Sequence, residues 1–332
     1  MLVKNFRGPL VAVALIAVVA LLVTPLRTSV LSAVDRMSGG TATTGPAAPD
    51  ATAGQVGPDG TAGQIGPDGT AGPDGTAGPG GTTPTPDRSG SPGAGSGLPG
   101  ATTPGTLPPV VDHGPRTGNK VALTFDADMT DAMRRQLRGP HPPSYANLAI
   151  VELLERERVP ATFFLTGKWV EDYPELTRRL AANPRFELAN HTYGHAAFTP
   201  RCYQLTTLPR REMTPDVAQT FEVIGRYGGR QTRYFRFPGL CHDRTALAEL
   251  APLGLTVVDG DVVSGDPFAT AWRPIVRAVL SQVRPGSVII MHVTEANAAM
   301  TDEALPHILA GLAERGLEPA PLSEVLGPAT PA

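Results

Sequence analysis

Two histidines four residues apart, in Asn190-His191-Thr192-Tyr193-Gly194-His195, are the residues whose type and spacing first suggest chemistry. On a helical turn that spacing brings His191 and His195 to one face, close enough to grip one metal ion. The pair alone leaves metal binding and a satisfied core pair equally open. Its company narrows the choice. Upstream, the apolar run Val121-Ala122-Leu123-Thr124-Phe125 ends in Asp126 and Asp128. Downstream come Phe235-Arg236-Phe237-Pro238-Gly239, then the stretch from Asp261 to Asp266, then Ile289-Ile290-Met291-His292. Each polar group follows a short apolar run that reads as a strand, and barrels of parallel strands collect their active sites at such ends.

The elements that must position these residues follow from hydrophobic periodicity. Residues 121–125, 161–165, 234–236, 256–259 and 288–292 read as strands, and 186–189 leads into the histidine pair. Residues 145–158 carry Leu148, Val151 and Leu154 at helical spacing, and Pro160 stops that helix. Further helices are predicted over 176–182, 215–227, 246–253, 274–283 and 305–315. Strand and helix alternate throughout, which implies a parallel sheet or barrel.

Taken in order, the blocks resemble the five motifs of the polysaccharide deacetylases (carbohydrate esterase family 4, the NodB-homology domain), over about residues 120–326. The resemblance implies an α/β fold, a distorted (β/α) barrel of about seven parallel strands. It also implies removal of acetyl groups from sugars with one divalent metal, zinc as the first expectation and cobalt or another divalent ion as substitutes. Carried over residue by residue, His191 and His195 fall on metal ligands and Asp126 on the general base that takes a proton from the attacking water. Arg236 falls on the arginine that holds this base, and His292 on the general acid. Asp266 falls on the carboxylate that orients the acid's imidazole, and the backbone N–H of Gly239 on a donor to the tetrahedral oxyanion.

The chain departs from the family pattern at three positions. The family's third metal ligand directly follows the base, and here that position is Ala127. Asp128 is the candidate substitute, on the expectation that the strand has ended and positions i and i+2 turn to the same side. An acid restored at position 127 is then expected to recover part of the metal binding in a chain lacking Asp128. The aromatic expected after the second acid of the fourth motif is Pro267, so the wall of the acetyl pocket is missing or supplied elsewhere. The leucine of the last motif is Ile290, a mild change. These departures keep two alternatives open: a catalytically impaired saccharide-binding module, and an amidohydrolase acting on C–N bonds of small molecules. Asp126, Arg236, Asp266 and His292 argue against the first, because binding alone does not require an acid, a base and their partners.

Composition bounds the rest. The 332 residues carry a formal charge of -3 with no basic cluster, which argues against nucleic-acid binding. Residues 1–36 hold an uncharged apolar stretch, 8–26, behind Lys4 and Arg7, and read as a signal peptide or a transmembrane anchor. Residues 37–115 read as a Gly/Pro/Thr-rich linker, too poor in large apolar side chains to fold. Within it, glycine recurs every third residue across 54–83, the period of a collagen triple helix, or of a solvated spacer that happens to repeat. Residues 116–328 are left as the one folded domain. The expected protein is exported and membrane-anchored facing the exterior, or secreted if the N-terminal segment is cleaved. It is expected as a monomer, or a trimer if the repeat folds, acting on an acetylated polysaccharide of the cell envelope such as peptidoglycan. Cys202 and Cys241 are the two cysteines, and export favours a disulfide between them over two free thiols or metal thiolates.

Overall fold

Residues 97–327 are those described in the computed structural model. Short apolar runs form the strands β1 (Val110–Val111), β2 (Lys120–Ala127), β3 (Ala161–Leu165), β4 (Phe186–Asn190) and β5 (Arg230–Phe235). They continue with β6 (Thr256–Val258), β7 (Val262–Val263), β8 (Val288–His292) and β9 (Glu318–Pro319). The order across the sheet is β1-β6-β5-β4-β3-β2-β8-β7, with β9 paired to the start of β2 and every ladder parallel. β3 and β4 are buried along their whole length, as strands covered on both faces must be. Eight strands lie along this path instead of about seven, because β1 and β7 are two residues each and leave no periodic signal.

The two ends of the sheet are joined by covalent chain. β6 lies next to the edge strand β1, while β7 is the opposite edge, and residues 259–261 cross between them. Asp259 N–H donates to Val111 O on one side of the crossing, and Asp261 N–H to Val288 O on the other. The Asp261 carboxylate also accepts from the Val288 N–H at 2.8 Å and from Arg116 at 2.7 Å. Gly260 has a φ of 81°, and a Cβ there would sit 2.9 Å from the Ile290 side chain, so the crossing needs glycine.

Alternation along β2 divides the core. Leu123, Phe125 and Ala127 face the helices and pack with Leu165, Met291 and Leu305. Ala122 faces the barrel interior with Phe164, Ala189, Tyr234, Val258 and Val288. That interior is plugged at the N-terminal ends of the strands by Ala320, Leu322 and Val325 from the last helix and its lead-in. Helix Leu148–Arg156 starts later than sequence periodicity predicts, because the Asn147 side chain caps it at Ile150 N–H. Helix Arg210–Gly225 starts earlier than 215 and carries Pro215 inside it. Helices Asp131–Leu137 and Gly167–Asp172 were not anticipated; Thr130 and Thr166 cap them.

The linker assignment to residue 115 needs correction. Residues 97–109 strap the barrel: Arg233 N–H donates to Pro99 O, Thr102 N–H to Gly254 O and Gly105 N–H to Ala251 O. Gly100, at a φ of 79°, lies flat on the Tyr234 ring. Such backbone pairing does not require large apolar side chains, so composition did not disclose it. The N-terminal segment 1–36 and the repeat 54–83 lie outside the described residues. Among the described residues no helix is long and apolar enough to cross a membrane.

Candidate active site

The chemically active side chains converge where the strands end. Even-numbered residues of β2 point into the barrel, so Asp126 does too, and it stands in register with His292 on the adjacent β8. Asp128 follows at the same period. Strand β2 runs through Ala127, whose side chain is fully buried in the core on the opposite face. The expectation that the strand ends before this point is therefore corrected, and the core-facing burial of Ala127 argues against a rescue by an acid at that position. Asp126 and Asp128 share a side because a strand alternates.

The histidine pair does not lie on a helical turn, which corrects the first expectation. The chain leaves β4 at Asn190 as an irregular loop in which Thr192 (φ 69°) and His195 (φ 56°) adopt left-handed backbone. Each such residue costs about 1–3 kcal/mol and persists only where its surroundings fix it. Here Asn190 Oδ1 accepts from Thr192 N–H, Thr192 Oγ1 from His195 N–H, and Asp216 Oδ1 from Tyr193 N–H at 2.8 Å. His191 Nδ1 donates to Arg236 O at 2.9 Å, which fixes the tautomer and leaves Nε2 as a lone-pair donor facing inward.

Asp128, His191 and His195 bring one ligand atom each to within 4.8 Å of one another, a candidate metal site. Asp128 Oδ1 lies 3.5 Å from His191 Nε2 and 3.3 Å from His195 Nε2. That oxygen is buried without a hydrogen-bond partner, the mark of a place built for a cation. Burial pushes His195 down to about 4, against the pull of Asp128, so its imidazole is neutral and able to ligate. Burial would raise the Asp128 carboxyl, but the neighbouring imidazoles of His195, His191 and His292 outweigh it and hold the group well below the usual carboxylate range. Two imidazole nitrogens and one carboxylate fit a divalent ion with an open position.

Two ion pairs flank this triad. Arg236, fully buried, donates from Nη1 to Asp126 Oδ1 at 2.6 Å and from Nε to Val258 O at 3.1 Å. Its guanidinium stacks 4.0 Å from the Phe164 ring. Asp126 Oδ2 is left 3.7 Å from His191 Nε2, pointing at the triad. On the other side His292 Nδ1 donates to Asp266 Oδ1 at 2.8 Å, and Asp266 Oδ2 accepts from Thr301 Oγ1 at 2.7 Å. Ser264 Oγ donates to the same carboxylate. Burial disfavours charge on His292, yet the Asp266 carboxylate beside it pushes the imidazole up to about 10. His292 Nε2 then lies 3.9 Å from Asp128 Oδ2, across the site from Asp126.

These groups open into a cavity of about 210 Å³ that Gly239, Ile290, Pro267, Phe268 and Tyr203 also line. Gly239 sits at a φ of 62°, and a Cβ there would meet Cys202 Sγ at 2.8 Å and the Tyr203 ring at 2.9 Å. Cys202 and Cys241 are joined by a disulfide with Cα atoms 5.8 Å apart, tying the loop after β4 to the turn that carries Gly239. Arg236 reaches the cavity only through Asp126. Sequence reasoning missed Asn190, Asp216, Ser264, Thr301, Tyr203 and Phe268. Ser264 and Asn190 stood inside motifs already singled out, whereas Asp216 and Thr301 sit on distant helices and gave no signal.

A parallel barrel that gathers carboxylates, imidazoles and a metal-ready triad at its carboxyl end has the make-up of a hydrolase site. The polysaccharide deacetylase profile matches residues 113–258. A chitooligosaccharide deacetylase of Bradyrhizobium sp. (strain ANU 289) is 30% identical over 228 residues, covering 64% of this chain and 94% of that protein. A peptidoglycan-N-acetylglucosamine deacetylase of Bacillus cereus is 28% identical over 181 residues, covering 54% of this chain and 58% of that protein. Among solved structures, the Bc1960 peptidoglycan N-acetylglucosamine deacetylase aligns with a TM-score of 0.55 at 24% identity, over 67% of this chain and 95% of that one. The chain belongs to the polysaccharide deacetylase family, hydrolases that remove acetyl groups from carbohydrates.

Proposed function

We propose that this protein is a zinc-dependent deacetylase of an N-acetylglucosamine-containing polymer of the cell envelope. The observation that carries the metal dependence is the orphaned, buried Asp128 Oδ1 set between the Nε2 atoms of His191 and His195. An acetyl xylan esterase from Clostridium thermocellum, 25% identical with a TM-score of 0.50 over 62% of this chain and 89% of that one, was solved with a cobalt ion. The polymer class is favoured by the names of the relatives, chitooligosaccharide and peptidoglycan-N-acetylglucosamine deacetylases. Export is favoured by the apolar stretch 8–26 and by the Cys202–Cys241 disulfide, which persists only in an oxidising compartment. The stretch would serve as anchor or as signal peptide.

Asp128, His191 and His195 would hold the ion, which when bound supplies Lewis-acid polarisation and a lowered pKa for water. Asp126, held by Arg236, accepts the proton of the attacking water through Oδ2. Gly239 N–H donates to the oxygen that gains charge as the carbonyl becomes tetrahedral. His292, kept cationic by Asp266, delivers its proton from Nε2 to the departing amine or alcohol. The test is acetate release from acetylated chitooligosaccharides and from peptidoglycan, before and after chelation and after zinc is restored. Release that stops with chelation and returns with zinc is expected; no release from any acetylated polymer by zinc-loaded protein overturns the proposal.

A further inference from the structure

Two large aromatic side chains stand exposed at the mouth of the cavity. Tyr203 is 75% exposed and Phe268 78%, a paired apolar patch and not a lone exposed residue. They come from different connections, one after β4 and one after β7, yet their ring centroids lie 6.4 Å apart with planes 30° from parallel. Both line the same cavity as Asp126, Asp128 and His292.

Their backbones are fixed while their faces stay open. Tyr203 follows the disulfide-bonded Cys202, and its own φ of 50° holds the left-handed region. One edge of its ring lies over Gly239, where even a Cβ would collide with it. Phe268 closes the short turn that begins at Asp266, and its N–H donates to Gly265 O. Asp266 is itself held by Ser264, Thr301 and His292. An exposed apolar pair, immobilised at the rim of a site, marks a binding surface. A pyranose ring fits it, since axial C–H groups give it an apolar face while its hydroxyls stay in water at the edge.

We propose that Tyr203 and Phe268 form a stacking platform for the sugar unit adjacent to the one being deacetylated, so that the pair sets a preference for polymer over monosaccharide. This rests on the reading of the site as one for acetylated sugar polymers.

The test uses the full chain loaded with zinc, and Tyr203→Ala, Phe268→Ala and Tyr203→Phe variants of it. Each is titrated calorimetrically with N-acetylglucosamine pentamer and with the monosaccharide, and acetate release from both is followed in parallel. Because both rings are exposed, the variants lose little core, and their melting temperatures check this. Either alanine variant is expected to weaken pentamer binding about tenfold and to lower the pentamer-to-monosaccharide ratio of kcat/KM by a similar factor. Tyr203→Phe, which keeps the ring, is expected to stay within about twofold of the parent. Unchanged pentamer affinity in both alanine variants, or no pentamer binding by the parent, overturns the platform. Pentamer binding that depends on the rings without any acetate release upholds the platform and overturns the deacetylase reading instead.

Discussion

Asp266 grips His292 at two points, its Oδ1 accepting from the imidazole Nδ1 at 2.8 Å and its Oδ2 from the His292 backbone N–H at 2.7 Å. Backbone and ring are fixed by one carboxylate, so Nε2 has a single direction available to it. The same contact keeps the imidazole charged far above its ordinary range, as the proposed role of proton donor requires.

Replacing Asp266 by Asn keeps the shape but removes the anion that raises His292. The imidazole then loses its proton at lower pH, and the alkaline limb of the pH–rate profile moves downward. Stability shifts as well: a histidine raised on folding stabilises below its ordinary pKa of about 6.5 and loses that contribution as pH climbs through its folded value. Asp266→Asn should therefore lower the melting temperature at pH 6 more than at pH 11.

Asp128→Ala is expected to weaken zinc binding at least as much as His195→Ala, by tenfold or more on the scale of a lost ligand, measured by competition with a chelating dye. Ala127→Asp in that background is expected not to rescue it. A carboxylate at position 127 would be forced among Leu165, Met291 and Leu305, a cost of several kcal/mol read as a fall in melting temperature.

Arg236→Lys preserves the charge but not the fork. A single ammonium cannot reach both Asp126 and Val258 O in the geometry of the guanidinium, nor stack on Phe164. Loss of stability is expected to approach about 3–5 kcal/mol for Arg236→Met, which strands Asp126, and to be smaller for the lysine. Both should lower kcat while zinc content stays near that of the parent, as metal analysis of the purified variants would show.

Asp216 is pushed up to about 6, chiefly by burial, although Tyr193 N–H donates to it. An aspartate raised on folding stabilises most while protonated and loses that contribution as pH rises from about 4 through 6. Asp216→Asn keeps the acceptor oxygen and removes the charge. Its melting temperature should exceed the parent's at pH 8 and match it near pH 4.

Much of the barrel was legible because long buried strands carry dense apolar runs: β2, β3 and β8 are each read from sequence within two residues of their ends. The two-residue strands β1 and β7 were not, since pairing partners and not side chains define them. Asp126, His191, His195, Asp266 and His292 were legible because they lie at or after such runs, and the structure lines one cavity with them, with Arg236 held behind Asp126. What escaped was conformation: the left-handed Thr192 and His195 contradict the helical turn that their spacing suggested, because three side-chain acceptors reshape the loop. Asp128 was legible as a substitute acid, but the reason for its placement, two further residues of strand, was not.

Closing the barrel through Asp259, Gly260 and Asp261 has a consequence for self-association. An open sheet ends in rows of unpaired N–H and C=O groups on which a second copy can add its own strand. Here the edges β1 and β7 are two residues each, too short to template a ladder of any length. At high concentration the described domain therefore offers a neighbour little template for an intermolecular ladder, and should resist fibril formation for as long as it remains folded.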